Sequence, residues 1–307
     1  MSNIFAKIQL ERSKDTNTMS VKELCELAGV TRSGYYNWLR HADAREKHEQ
    51  RDRADFELIL NAYRHRGYAK GARGIHMRLL HDGIRMNLKK IRRLMKKYGL
   101  FCPIRKENPY RRMAREIRTN AVADNAVKRE FRMHGARKIL LTDITYIRYD
   151  TSFCYLSVVK DAFTEEVLSY VASRSLELDF VLETMKQLLE NHAATFETDV
   201  MIHSDQGCHY TSVKFRQLLE DHGLRQSMSR RGNCWDNAPQ ESFFGYMKDE
   251  LSPYQSSWKT FEDVKRSIDD WMDYYNHDRG QWNLKKLSPK EYYNYILTGI
   301  NPLSMNR

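Results

Sequence analysis

A chain of 307 residues with 41% hydrophobic and 30% charged side chains is long enough for two or three modest cores and too apolar for a disordered polymer. It has no apolar run near the roughly 18 residues of a membrane span. MSNIFAKIQLERSKD has no signal-peptide apolar region, and no G-x-x-x-x-G-K-[ST] phosphate loop occurs, which sets aside membrane, secreted and P-loop functions.

The net charge of +11 is concentrated. Residues 1–84 carry 15 Lys/Arg against 11 Asp/Glu, residues 85–118 carry 13 against 2, and residues 119–307 carry 23 against 27. A segment of 34 residues thus supplies an excess equal to that of the whole chain, a field suited to a polyanion. The acidic C-terminal part needs another way to approach phosphate, and metal ions provide one. The five cysteines, Cys25, Cys102, Cys154, Cys208 and Cys234, have no C-x-x-C spacing and read as reduced thiols.

In chain order, residues 20–40 read as a helix-turn-helix. Ser20 and Glu23 form a capping-box pattern, Leu24, Leu27 and Ala28 an apolar stripe, Gly29 the turn, and Thr31 a second cap. A second helical unit spans about 61–100. Gly71 and Gly74 flank a helix at Ile75 to Leu80, Gly83 breaks it, and Asn87 caps the next. There Leu88, Ile91, Leu94 and Met95 repeat at helical spacing. Lys89, Lys90, Arg92, Arg93, Lys96 and Lys97 take its other faces and are candidate DNA contacts. Residues 105–118, with Arg111 and Arg112, read as a basic linker that also meets DNA.

From about 137 the pattern becomes α/β. KILLTDITYIR (138–148), FCYLSVV (153–159) and Val167 to Ala172 read as strands, then Leu176 to Phe196 as a long helix. VMIHS (200–204) is a short buried strand, Thr211 to His222 a helix, and Leu224 to Met228 a last strand. Helices follow at 236–251 and 261–277. The predicted domains are 1–60, 61–120 and 121–300.

Three acids stand out. Asp143 interrupts an apolar strand, where an unpaired buried carboxylate would be costly. Asp205 opens the loop after a short strand, where ligands of open α/β sheets bind. Glu241 lies in the first turns of a helix that Asp236 or Asn237 can cap, and Lys248, seven residues on, shares its face. Singly, each has an ordinary explanation as an exposed, turn-forming or solvated residue. Together, three carboxylates suit a pair of hard cations about 3.5–4 Å apart, the arrangement that activates a nucleophile and stabilises a leaving oxygen at a phosphodiester.

Asp205 and Glu241 are separated by 35 residues. That spacing, with TDITYI, HSDQGCHYTS, SMSRRGNCWDNAPQESFFGYMKDEL, GYAKGARGIHMRLLHDGIRMNLKKIRRLMKKYGL (67–100) and YNHDRGQWNLKKLSPKEYY (275–293), resembles the second-reading-frame transposases of integrase-like bacterial insertion sequences. The resemblance covers about 20–300. It implies a ribonuclease-H-like core, a mixed five-stranded sheet with flanking helices, preceded by all-α helix-turn-helix segments. It implies that Asp143, Asp205 and Glu241 bind two Mg²⁺ ions, with Mn²⁺ as a substitute. Lys248 would contact DNA at the element's end, with Asn237 and Arg230 as site neighbours. The partners implied are double-stranded DNA, as terminal repeats and target, a homo-oligomer pairing two ends, and an upstream-frame product joined by frameshifting. The location expected is the bacterial cytoplasm and nucleoid, with no membrane.

The histidines and cysteines lack the finger spacing of retroviral integrases, so no structural zinc is expected. Asp161 reads as structural and His203 as a packed strand residue. The rival functions are a nuclease that only cuts and a regulator that binds DNA without catalysis; the intact carboxylate trio speaks against the second. RNA-binding words are missing.

Overall fold

The computed structural model describes residues 2–103, 134–197, 199–229 and 238–304. Arg111, Arg112, the linker 105–118, Arg230, Cys234, Asp236 and Asn237 lie outside the described residues. The chain divides into two compact units, residues 1–60 and 61–307.

In the first unit, α1 (Ser2–Arg12), α2 (Val21–Leu27) and α3 (Arg32–Arg40) enclose Ile8, Leu24, Cys25 and Tyr35. The Ser20 hydroxyl accepts from the Glu23 N–H while Glu23 accepts from the Ser20 N–H, a complete capping box. Gly29 turns the chain at φ +66°, and Thr31 caps α3 at the Gly34 N–H. A 23-residue helix, α4 (Ala42–Arg64), follows. Neither α1 nor α4 is signalled by the sequence pattern.

The second unit begins with α5 (Ala72–His81) and α6 (Leu88–Lys97). Gly74 sits inside α5 rather than at its edge, since Gly71 is the N-cap. The Asn87 side chain caps α6 at the Lys89 N–H, 2.8 Å away. Ile91, Leu94 and Met95 are buried, while Lys89, Arg92, Arg93, Lys96 and Lys97 are exposed and Lys90 is half-buried. The apolar stripe thus fixes which side of the helix the cations occupy.

The sheet of this unit contains β1 (Ile139–Tyr149), β2 (Ser152–Asp161), β3 (Val167–Ser173), β4 (Met201–Ser204) and β5 (Arg225–Met228), in the order β3-β2-β1-β4-β5. The first three strands form an antiparallel meander, and β4 and β5 add in parallel. Between them run α7 (Asp179–His192), the one-turn α8 (Cys208–Thr211) and α9 (Val213–Asp221). Then come α10 (Ala238–Leu251), α11 (Phe261–His277) and α12 (Pro289–Thr298). Alternate residues of each strand serve opposite faces. On one face Leu140, Val159 and Ile202 pack with Phe180, Met185 and Phe215 of α7 and α9. On the other, Ile147, Leu156 and Val158 pack with Phe243, Met247 and Trp271 of α10 and α11. α7 is shorter than the sequence pattern suggests, because residues 193–195 form a 3-10 turn.

Candidate active site

The register of two strands places the first pair of acids. β1 and β4 run parallel with Leu141 opposite His203. Two residues beyond this last pair come Asp143, inside β1, and Asp205, just past the end of β4, so both lie on the carboxyl side of the paired segment. Neighbouring strands lie about 4.8 Å apart. Asp143 is half-buried and Asp205 exposed, so both acids stay within reach of solvent. Asp205 is oriented locally, because its Oδ1 accepts the Gly207 N–H at 2.9 Å. A β-carbon at Gly207 would lie only 2.9 Å from that same oxygen, so any larger residue there must displace the Asp205 carboxylate.

A buried phenol beneath these acids reports on both. Tyr210 is 1% exposed and lies 3.4 Å from the Thr142 hydroxyl. Burial pushes its pKa well above the ordinary value, and Asp143 and then Asp205 add to the rise. One side chain thus lies in the field of both carboxylates. Sequence reasoning passes over Tyr210, although it stands five residues after Asp205 in the HSDQGCHYTS motif.

Glu241 belongs to the helix that follows the sheet. α10 packs Phe243 and Met247 into the core against β1 and β2, and Glu241, in its first turn, is exposed. At the other end of the same helical face, the Lys248 ammonium lies 4.9 Å from the ring centre of Tyr146 on β1. Desolvation lowers the Lys248 pKa, and the nearby Asp143 charge opposes the shift. Lys248 therefore lies against β1, in the field of Asp143. Among the described residues, no three His, Cys, Asp or Glu side chains already form a closed metal cage. The chemistry of the donors suits a hard cation: Asp143 within β1, Asp205 just past the end of β4 and Glu241 in the first turn of α10 all offer carboxylate oxygens.

The remaining polar residues of these motifs have structural roles. Asp161 is buried and accepts from the Thr164 hydroxyl at 2.7 Å and from Arg137 at 3.3 Å. Burial raises its pKa, and these partners pull the other way. His203 is buried with Nδ1 3.0 Å from the Ser227 hydroxyl, and His209 Nε2 lies 2.6 Å from the Leu176 carbonyl. The motif at 275–293 builds a brace. Arg279 lies against buried Glu250, Nη2 to Oε1 at 2.8 Å, and Trp271 donates to the same carboxylate at 2.9 Å. This fixes the last turn of α10.

The cations of α6 form a second polar surface, carried by a helix that precedes the sheet in the chain. No helix among the described residues is long and apolar enough to cross a membrane.

Comparison with known proteins identifies the family to which the chain belongs. The family described as "Integrase core domain" matches residues 134–234 and, in a second form, 222–289; an "HTH-like domain" matches residues 49–108. An uncharacterized transposase-like protein of Haemophilus influenzae is 36% identical over 213 residues, covering 69% of this chain and 95% of that protein. A putative transposase for insertion sequence element IS150 of Escherichia coli is 31% identical over 273 residues, covering 89% and 93%. Among solved structures, the catalytic core domain of HTLV-2 integrase in complex with magnesium aligns at a TM-score of 0.41 and 16% identity, over 52% of this chain and 97% of that one.

Proposed function

We propose, from the premise that this chain belongs to the integrase-core transposases of insertion sequences, that Asp143, Asp205 and Glu241 are its catalytic carboxylates. The ribonuclease-H-like core then performs strand cleavage and strand transfer at the ends of an insertion element. The three side chains hold two Mg²⁺ ions, for which Mn²⁺ substitutes. When bound, such ions lower the pKa of water and stabilise the developing charge on the leaving oxygen.

The chain's own residues do the rest. Asp143 and Asp205 offer fixed oxygens at the strand ends. Gly207 leaves Asp205 room and holds one of its oxygens. Glu241 closes the site from the helix. Lys248 meets the DNA backbone, and buried Tyr210 packs next to Thr142, the neighbour of Asp143. Arg230 and Asn237, which lie outside the described residues, join the site as neighbours on the family resemblance alone. Water first attacks the phosphodiester at the element's end, breaking its P–O3′ bond to leave a 3′-hydroxyl on the element and a 5′-phosphate on the flank; that 3′-hydroxyl then attacks a target phosphodiester and displaces the target's own 3′-oxygen, which leaves as a hydroxyl, with no protein-bound intermediate.

Recognition falls to the helical part. Lys89, Lys90, Arg92, Arg93, Lys96 and Lys97, with Arg111 and Arg112 beyond, engage terminal-repeat DNA chiefly through phosphates. One carboxylate trio serves one strand at a time, so pairing two ends calls for a homo-oligomer. The same reading includes a fused upstream-frame product and a place of action at the bacterial nucleoid.

The observation that supports this reading most is the β1–β4 register, which sets Asp143 beside Asp205. The test is Mg²⁺-dependent joining of pre-cut ends carrying the flanking terminal repeats. The wild type should join them, and Asp205→Asn should bind the same DNA without joining. Cleavage without joining by the wild type would instead make it a nuclease.

A further inference from the structure

We propose that Lys160 is a positioning residue for Glu241, tying the first turn of α10 to the strand pair that carries Asp143. The inference rests on the carboxylate reading and assigns a task to a residue that this reading leaves unused.

Lys160 lies near the end of β2, opposite Leu141 of β1, and Asp143 faces Val158 two positions away. It is 3% exposed. Cys154, Leu156 and Val158, on the same face of β2, are apolar and buried. A lysine in that row forfeits hydration of its ammonium, a cost an aliphatic side chain would avoid. A cation near a helix N-terminus also works against the helix dipole. Packing alone gives no reason to accept either penalty.

Lys160 keeps the unbroken β1–β2 register, so its side chain falls on the same face as Val158. The β2–β3 register shifts beside it, with Leu168 of β3 the extra residue between the partners of Val159 and Lys160. Asn276 holds the shifted ladder in place. Its amide accepts from the Val167 N–H at 3.0 Å and donates to the Val167 carbonyl at 2.8 Å. The Lys160 ammonium then donates to the Pro239 carbonyl at 3.0 Å and lies 5.0 Å from the centre of the Phe243 ring. Pro239 is the second residue of α10, two before Glu241. One side chain therefore spans from the sheet to the turn that presents Glu241. Misplacing a reacting group by about 1 Å can cost about 10²-fold in rate, so such a tie has a measurable purpose.

Lys160→Met fills the same space without a donor, and Lys160→Arg restores one. Three quantities are read on the full chain: the thermal midpoint, Mn²⁺ binding to the free protein by calorimetry, and the Mg²⁺ concentration for half-maximal joining. For Lys160→Met the midpoint should stay or rise, while Mn²⁺ affinity and the Mg²⁺ requirement each worsen about tenfold, the scale for a group supporting a metal ligand. Lys160→Arg should recover part of both. Unchanged metal affinity and Mg²⁺ requirement in Lys160→Met would overturn the proposal. So would activity that falls only in step with the midpoint, which marks a packing role. Glu241→Gln separates the two levels. If it is inactive while Lys160→Met is normal, only the tie is refuted; if it binds Mn²⁺ and joins DNA like the wild type, the carboxylate reading itself is refuted.

Discussion

On the proposed reading, helix α6 and the Asp143–Asp205 pair meet the same polyanion with opposite charge. The helix presents a row of lysines and arginines set by a buried apolar stripe, with no acid among its ten residues. The strand ends present carboxylates, on a part of the chain where acids outnumber bases. A cationic helix gains affinity from any phosphate and specifies little chemistry. A carboxylate group repels phosphate until cations intervene, and then it acts at one bond. Binding and catalysis therefore depend on different variables, salt for one and divalent metal for the other, and each can be broken alone.

The sharpest break is at the carboxylates. Asp143→Asn and Asp205→Asn should each lower joining by at least about 10³-fold, while DNA affinity in a gel-shift or anisotropy titration stays within about twofold. Equal losses in both assays would erase the distinction between the regions.

A smaller loss is expected from Gly207→Ala. The added methyl must displace the Asp205 oxygen it would approach at 2.9 Å, without straining a backbone at φ −60°. Joining should fall about 10–100-fold with an unchanged thermal midpoint.

The other region breaks differently. Replacing Lys89, Arg92 and Lys96 together by Gln should reduce the slope of log affinity against log salt by about 2–3, at roughly 0.9 for each phosphate no longer neutralised. Joining at saturating DNA should persist. A salt slope equal to that of the wild type would remove α6 from the interface.

The smallest effect concerns a fastening between the helical segment and the C-terminal helices. His81 of α5 lies 2.9 Å from Glu291 of α12. Burial alone would depress the His81 pKa, but the bond to Glu291 raises it above the ordinary 6.5. Burial likewise works to raise Glu291, and the histidine brings it below 4.5. A raised histidine stabilises fully below its unfolded pKa and loses that contribution as pH climbs through its folded one. A depressed carboxylate loses its share as pH falls through its folded pKa. The pair is therefore strongest between about pH 4.5 and 6.5. The thermal midpoint of the wild type should exceed that of His81→Gln by about 1–3 °C at pH 6, with the gap narrowing by pH 8.5. A gap that widens with pH would contradict this.

Much of this contrast is legible in the sequence, for physical reasons. Strand alternation, the Asn87 cap and the glycine at 99 are local signals, and α6 and β1 follow from them. The three acids stand out because an acid within apolar strands, at a strand end and in a helix's first turn is unusual in combination. What stays hidden depends on contacts distant in sequence. The register of β1 on β4, which brings Asp143 beside Asp205, joins residues about 60 apart. Tyr210 looks like any core aromatic until the two carboxylates beside it are known. Lys160 reads as a strand charge until its contacts with Pro239 and Phe243 of α10 are known. α1 and α4 escape because α1 shows almost no apolar periodicity and α4 is rich in charge along its whole length.

The most direct test of the carboxylate centre is anomalous diffraction from crystals of the full chain grown with Mn²⁺ and a terminal-repeat DNA end. Two peaks about 3.5–4 Å apart, bounded by Asp143, Asp205 and Glu241 oxygens, are the predicted result. Well-ordered density with no manganese between these side chains, or with Glu241 more than about 10 Å from the two aspartates, would contradict it.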